Sequence, residues 1–205
     1  MATTRRYRSE LRGQQAQQTR RAVVEAAHAL FVANGWAATG MREVASTAGV
    51  ALETVYAHFS SKRGLLRAVT DMAAVGDDAP VPMAQRPEFL AIGQGRRAAR
   101  VGAAARLVTA VQLRTAAVAK LLREAAPADD EIAEMLHSTR ERQRDDVAAA
   151  LQLILGRPST PAERDGVWAV VSPEVYLLLV ETSGWSTEQY EAWVATTLDA
   201  VIPRA

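Results

Sequence analysis

Apolar residues recur at helical spacing along most of the chain, and polar or glycine-rich gaps separate these runs into predicted helices. Over residues 15–34 they fall at steps of three and four, which places them on one face of an amphipathic helix. Gly35 is expected to end that helix in a left-handed conformation. Two short helices are then predicted over 41–48 and 52–58, with Gly49 as the turn residue between them.

A fourth helix is predicted from Lys62, behind Ser60 or Ser61, either of which can cap its first turn. The stretch 76–82 reads Gly-Asp-Asp-Ala-Pro-Val-Pro and breaks the helical period, which indicates a connection between two domains. Beyond it the pattern predicts helices over 96–125, 129–155, 161–181 (interrupted at Ser172-Pro173) and 186–201. The sequence therefore predicts an all-α chain with a disordered basic arm (1–14), a domain of short helices (15–75) and a helical domain (76–205).

Composition agrees with this prediction and excludes several kinds of site. Hydrophobic residues make up 49% of the chain, aromatic residues only 5%, and alanine and leucine dominate, which favours helices. There is no cysteine, so disulfides and thiolate metal sites are excluded. The first twenty residues lack the apolar core of a secretory signal, and the apolar stretch 168–180 is too short to span a membrane. We expect a cytoplasmic protein with no membrane association.

Charge is distributed unevenly along the chain. Residues 1–67 contain ten arginines and lysines against four acidic residues, for a net charge of +6, whereas the remaining residues carry −5. A basic head on an acidic body is what a DNA-binding domain fused to another kind of domain would show. A polar tail with a solvated helix face is the alternative explanation.

The segment from Thr39 to Lys62 has the pattern of a helix-turn-helix. Two short helices that cross need a small residue where they meet, which Ala45 supplies, and a glycine for the tight turn, which Gly49 supplies. The helix over 52–58 would then project toward a major groove about 12 Å wide. An ordinary helical hairpin remains the alternative.

The blocks in and around this segment resemble the DNA-binding domain of the TetR family of transcriptional regulators. The resemblance covers about residues 19–68 and extends weakly over the C-terminal helices. It is carried by Gly35-Trp-Ala-Ala-Thr39, Met41-Arg-Glu-Val-Ala45, Ala48-Gly-Val50, Thr54-Val-Tyr56, His58-Phe59 and Ser61-Lys62, followed by Leu65-Leu66.

The resemblance implies a set of DNA contacts. Phosphates would be held by Thr39, Tyr56, His58 and Lys62, and base edges would face Arg42 and the exposed side of the third helix, with Leu52, Glu53, Thr54 and Ala57. Two positions depart from the family pattern: Gly40 stands where a hydroxyl residue is usual, and Ala51 stands where a serine commonly caps the recognition helix. Tyr56 could alternatively be a core aromatic residue, and Lys62 could belong to a solvated helix start.

The C-terminal domain would then dimerise and bind an effector. Apolar sets on the last two helices predict a four-helix bundle between two subunits, formed by Val171, Val175, Leu178, Leu179, Trp193, Val194 and Leu198. A small-molecule pocket is expected among the preceding helices, lined by Leu107, Val111, Met135, Arg140, Trp168 and Tyr176. Both sets could instead be ordinary core residues.

The sequence thus predicts a ligand-responsive regulator, most simply a repressor, that binds a palindromic operator in double-stranded DNA as a homodimer. The three histidines are scattered, and no phosphate loop or nucleophile motif is present, so we expect no enzyme, no cofactor and no metal. The remaining alternatives are an architectural or adaptor protein that uses the hairpin for protein contacts, and a ligand-dependent activator.

Overall fold

A computed structural model describes residues 2–76 and 81–204, with side chains from residue 13 onward. The helices are α1 (Ala2–Ala38), α2 (Met41–Thr47), α3 (Leu52–Phe59), α4 (Lys62–Val75), α5 (Pro87–Leu90), α6 (Arg97–Ala125), α7 (Asp130–Leu155), α8 (Pro161–Val170), α9 (Pro173–Tyr176) and α10 (Thr187–Val201). No strand occurs among these residues, so the all-α prediction is confirmed. The chain divides into two compact units, 1–72 and 73–205.

The first unit encloses a small core built from the apolar faces of α1 to α4. Phe31 from α1, Val55 from α3 and Leu65 from α4 are each at most 1% exposed. Gly35 has φ +78° and interrupts the helical geometry of α1, as the sequence predicts. The arm over residues 1–14, predicted to be disordered, is instead helical, since α1 begins at Ala2. The side chains of residues 1–12 lie outside the described part, so a contact of the arm with DNA stays a prediction.

The second unit is organised around α6, against which α7, α9 and α10 pack. The polar signals in the sequence fix the helix starts: the Asp129 side chain caps α7, while Thr160 with Glu163 and Ser186 with Gln189 form capping boxes on α8 and α10. Gly156, with φ +70°, ends α7.

The predicted interruption at Ser172-Pro173 is present, since α8 ends at Val170 and Ser172 caps α9. The helix then widens into a π-helical segment, Leu177–Thr182, which the hydrophobic pattern does not predict. No helix in the described residues is long and apolar enough to cross a bilayer.

Part of the predicted dimer interface is wrong. Val194 is fully buried, Leu198 is 2% exposed and Val171 is 8% exposed, all within the core of their own subunit. The apolar face of α10 finds its partner in α6 of the same chain, so it is not left over for a second subunit.

Candidate functional site

The joint between α2 and α3 is a tight turn. Gly49 has φ +68°, a left-handed conformation that favours glycine, and the Val50 amide donates to the Ala45 carbonyl at 3.0 Å. Ala45 is 3% exposed, so its small side chain is enclosed where the two helices meet. The segment is therefore a helix-turn-helix and not a single helix.

The third helix turns one side inward and leaves the other open. Val55 and Phe59 are buried, and they fix the helix on the core. Glu53, Tyr56 and Ala57 are exposed, with Tyr56 at 46%. Leu52, Thr54 and His58 are half-buried at the edges of this surface.

Arg42 is exposed on α2, where it can reach a ligand outside the domain. Its neighbour Glu43 accepts a hydrogen bond from the Asn34 amide at 3.3 Å, which ties α2 to the end of α1. Gly40 and Ala51, the two departures from the family pattern, stand at the N-caps of α2 and α3, and neither position supplies a side-chain cap.

Thr39 does not offer its hydroxyl to DNA in this structure. The residue is 2% exposed, and its Oγ1 lies within hydrogen-bonding distance of the carbonyl oxygens of Gly35 (2.9 Å) and Leu30 (3.1 Å). We therefore correct its predicted role: the side chain closes the carbonyl end of α1 where Gly35 breaks the helix.

Lys62 is also engaged inside the domain. Its ammonium group donates to the Trp36 carbonyl and lies 4.3 Å from the centre of the Trp36 ring. Partial burial lowers the pKa of Lys62 below its usual value. The sequence pattern contains both residues but shows no sign of this pairing, because they are 26 positions apart.

The joint between α3 and α4 depends on close backbone approach. A Cβ added to Gly64 would overlap the carbonyl oxygen of Phe59, so only glycine fits there without a shift. The Gly64 amide donates to the Ser61 Oγ at 3.0 Å, so Ser61 caps the first turn of α4. Ser60, between the helices, has φ +58°.

The predicted effector residues are spread through the second unit. Leu107 and Val111 are half-buried on α6, Met135 is buried on α7, and Tyr176 is buried on α9. Arg140 donates to Glu174 at 3.1 Å, and Trp168 lies beneath the Arg144 guanidinium at 5.5 Å from its ring centre. None of these contacts identifies a ligand, so the pocket stays a prediction.

The segment that contains the helix-turn-helix matches a known protein family. Residues 23–69 match the family described as bacterial regulatory proteins, tetR family. No curated protein sequence matches the chain.

Several solved structures resemble this chain over 91% of its length. A TetR-family transcriptional regulator from Rhodococcus sp. has a TM-score of 0.70 at 19% identity, covering 91% of this chain and 99% of that chain. One from Mesorhizobium loti has a TM-score of 0.67 at 18% identity, covering 91% and 96%. The multidrug binding protein EbrR, complexed with imidazole, has a TM-score of 0.58 at 19% identity, covering 91% and 90%.

A helix-turn-helix over residues 41–59, within a segment that matches a family of bacterial regulatory proteins, defines this part of the chain as a DNA-binding domain of the transcriptional-regulator class. That family is TetR: the match covers residues 23–69, and over 91% of its length the chain shares the fold of a solved structure described as a TetR-family regulator. The resemblance inferred from the motifs of residues 19–68 is confirmed.

Proposed function

We propose that the chain is a ligand-responsive repressor that binds a palindromic operator as a homodimer in the cytoplasm. The observation that carries the proposal is the open face of α3: Glu53, Tyr56 and Ala57 are exposed on a helix whose opposite side is fixed in the core by Val55 and Phe59. A rigid helix with one free side is what direct contact with base edges requires.

Charge supports the same assignment. Residues 1–72 contain ten basic and five acidic residues, a net charge of +5, whereas residues 73–205 carry −4. A local excess of positive charge attracts the phosphate backbone and speeds association at low salt.

On DNA, the phosphate contacts and the base contacts would come from different side chains. Tyr56 and His58 would contact phosphates and fix the register of the helix, and Arg42 would read a guanine through its O6 and N7 atoms. A dimer would place two copies of α3 in successive major grooves, about 34–36 Å apart. Occupying the operator would exclude polymerase, which gives repression.

The dimer would form on the π-helical segment and the adjacent part of α10. Leu178 is 57% exposed, and Val175, Leu179 and Trp193 are half-buried. These four residues of the predicted interface remain in the proposed one.

An effector that binds one conformation of the second unit more tightly than another would change the spacing of the two recognition helices. The complex of EbrR with imidazole supports small-molecule binding in this fold.

The test begins with selection of bound fragments from the source genome, followed by fluorescence anisotropy on the selected site. Tyr56→Ala should weaken binding to all sequences about equally and leave the slope of log K against log salt unchanged, because the tyrosine hydroxyl is uncharged and releases no counterion. Arg42→Ala should relax preference at one base pair, at a cost of about 1–3 kcal/mol. Arg106→Ala removes an exposed cation from α6 and serves as the control.

Failure to recover any bound fragment would reject the regulator and favour an adaptor. Recovery of an operator whose affinity is the same with Tyr56→Ala and Arg42→Ala would keep the regulator but reject this contact surface. Expression of a reporter behind the selected site distinguishes repression from activation.

A further inference from the structure

The chain contains a single asparagine, Asn34, and Gly35 follows it directly. Asparagine is a thermolabile residue, because a backbone nitrogen can attack its side-chain amide and release ammonia. The attack is easiest when the next residue is glycine, since no Cβ then hinders the close approach of the backbone. The sequence therefore places this reactivity at one position of the chain.

The structure puts this pair of residues at the surface, where the helical geometry of α1 breaks. Asn34 is exposed, and Gly35 has φ +78° and ψ 173°, outside the helical region. Outside the adjoining residues of α1, no atom lies within 4 Å of a Cβ built on Gly35. Water can therefore reach both the reacting amide and the ring that its reaction would form.

The position at the helix break also matters for the geometry of the attack. Side chains of a regular helix lean toward its N-terminus, away from the amide of the next residue, so the Asn34 backbone must leave its helical conformation before a ring can close. At a helix end this change is local, because ends fray without disturbing the turns behind them. The break at Gly35 supplies such an end.

A second pair of residues in the chain is protected from the same reaction. Asp165 precedes Gly166 and could form the same ring, but it lies inside α8. Its carboxylate accepts hydrogen bonds from Arg164 at 2.8 Å and from Arg144 at 3.0 Å. These bonds, that from Arg164 most, lower the pKa of Asp165 and keep it ionised. An ionised carboxylate is a poor target for a nucleophile, so this pair serves as an internal reference.

The side-chain amide of Asn34 also has a structural role. Its Nδ2 donates a hydrogen bond to Glu43 Oε1 at 3.3 Å. Glu43 is exposed in the first turn of α2, next to Arg42, and α2 packs against both α1 and α3. A carboxylate at position 34 would remove the donor and set two negative charges against each other. The tie between α1 and α2 would become a repulsion.

We propose that Asn34 is a site of deamidation by water, and that the change weakens operator binding. The Gly35 nitrogen bonds to the Asn34 side-chain carbonyl carbon, the bond from that carbon to Nδ2 breaks, and the proton from the Gly35 nitrogen leaves with the ammonia. Water then opens the resulting succinimide ring at either of its carbonyl groups, which gives isoaspartate or aspartate. The net reaction exchanges ammonia for water and adds a negative charge.

The modification does not depend on the proposed function, but its effect on operator binding does, so the two are measured separately. Full-length protein is incubated in mildly acidic and in mildly alkaline buffer. Peptide mass spectrometry, with enzymatic methylation of isoaspartate, follows positions 34 and 165. A synthetic peptide of residues 30–38 gives the rate without the fold.

We expect isoaspartate and aspartate to appear at position 34 about tenfold more slowly than in the peptide, as a local opening of the helix end requires. The rate should rise with pH, because the attacking nitrogen must lose its proton. Position 165 should stay unmodified. Asn34→Gln is the matched control: it keeps a side-chain amide but would have to form a larger ring, so it should stay intact over the same period.

Operator affinity is measured by anisotropy with fresh and with aged protein. Asn34→Asp reproduces one product and should bind about fivefold more weakly than fresh wild type, the size of a like-charge repulsion at this separation in water. With Glu43→Gln in the same chain the loss should fall below about twofold, because a glutamine amide can donate to the new carboxylate. Asn34→Gln should bind as fresh wild type does.

The modification is refuted if position 34 stays intact while the peptide converts completely, or if position 165 reacts as fast as position 34. Its effect is refuted if Asn34→Asp binds the operator as tightly as fresh wild type, and its assigned cause is refuted if Glu43→Gln leaves the loss unchanged. Absence of operator binding by fresh wild type would reject the regulator itself, whereas the mass spectra would still decide the modification.

Discussion

At the scale of single residues, the ammonium group of Lys62 shows how a predicted contact can acquire a second role. Its position in the motif predicts a phosphate contact, but in the free chain it bonds to the Trp36 carbonyl and covers the Trp36 ring. The carbonyl is available because Gly35 breaks α1 just before it. Lys62 therefore stabilises the domain whether or not it also meets DNA.

Lys62→Met should lower the free energy of unfolding by about 1–2 kcal/mol, because the charged hydrogen bond and the cation–π contact are lost while the aliphatic stem is kept. Urea unfolding followed by tryptophan fluorescence measures the effect. Arg67→Met removes an exposed cation from the same helix and should change stability by less than about 0.5 kcal/mol. Equal stability of the two variants would assign Lys62 to DNA contact alone.

At the scale of elements, the joint between α3 and α4 sets how the recognition helix is held. The close approach of Gly64 to the Phe59 carbonyl leaves no room for a side chain. Gly64 has no positive φ, so its requirement is space and not backbone conformation. Gly166, by contrast, lies exposed in α8 with nothing near its Cβ position.

Gly64→Ala should therefore destabilise the protein by about 1–3 kcal/mol, as overpacking does. Gly166→Ala should stabilise it by about 0.5–1 kcal/mol through the higher helix propensity of alanine. Thermal unfolding of the two variants and of wild type measures both changes in stability, the expected decrease and the expected increase. If Gly64→Ala stabilised the protein, the joint between α3 and α4 would accommodate a side chain and would not constrain the position of α3.

The start of α8 is stabilised by an ionised carboxylate. The Arg157 guanidinium, and then the Thr160 amide, donate to Glu163 and lower its pKa from 4.5 to about 2. A carboxyl group whose pKa is depressed on folding stabilises the folded state fully above the unfolded pKa. That stabilisation is lost as pH falls from about 4.5 toward 2.

Glu163→Gln should accordingly lower Tm at pH 7, and the difference from wild type should shrink as pH is lowered through this window. Thermal unfolding at several pH values between 7 and 2.5 measures it. Glu124→Gln, at the exposed end of α6, reports the effect of losing a surface carboxylate elsewhere. A difference that stays constant with pH would contradict the assigned role of Arg157 and Thr160.

At the scale of the whole molecule, dimer formation depends on which apolar residues the folded subunit leaves exposed to solvent. Leu178 and Leu198 both belong to the predicted interface, yet Leu178 is 57% exposed and Leu198 only 2% exposed. The two positions should therefore respond differently to a charge.

Leu178→Arg should give folded monomers, since it places a charge in the proposed interface, whereas Leu198→Arg should unfold the subunit. Sedimentation velocity and circular dichroism separate the two results. Leu90→Arg, on α5, is the control for a charge at an exposed leucine (48%). A dimer that persists in Leu178→Arg would move the interface elsewhere.

Much of the fold could be predicted because its signals are local. Helix ends depend on residues within one turn, such as Asp129, Ser186 with Gln189, and Gly156, and each acts where the sequence places it. The helix-turn-helix depends likewise on Ala45 and Gly49, four residues apart. These positions also belong to the motifs that resemble the TetR family.

Contacts between distant residues could not be predicted in this way. Spacing makes α10 amphipathic but does not say whether its apolar face meets α6 of its own chain or a second subunit. The same limit hid the pairing of Lys62 with Trp36. The sequence by itself determined the long helices, the capped starts of α7, α8 and α10 and the helix-turn-helix, because short-range propensity and capping govern these. Only the tertiary structure decided which faces are buried and which distant groups pair, because burial depends on which helices pack together.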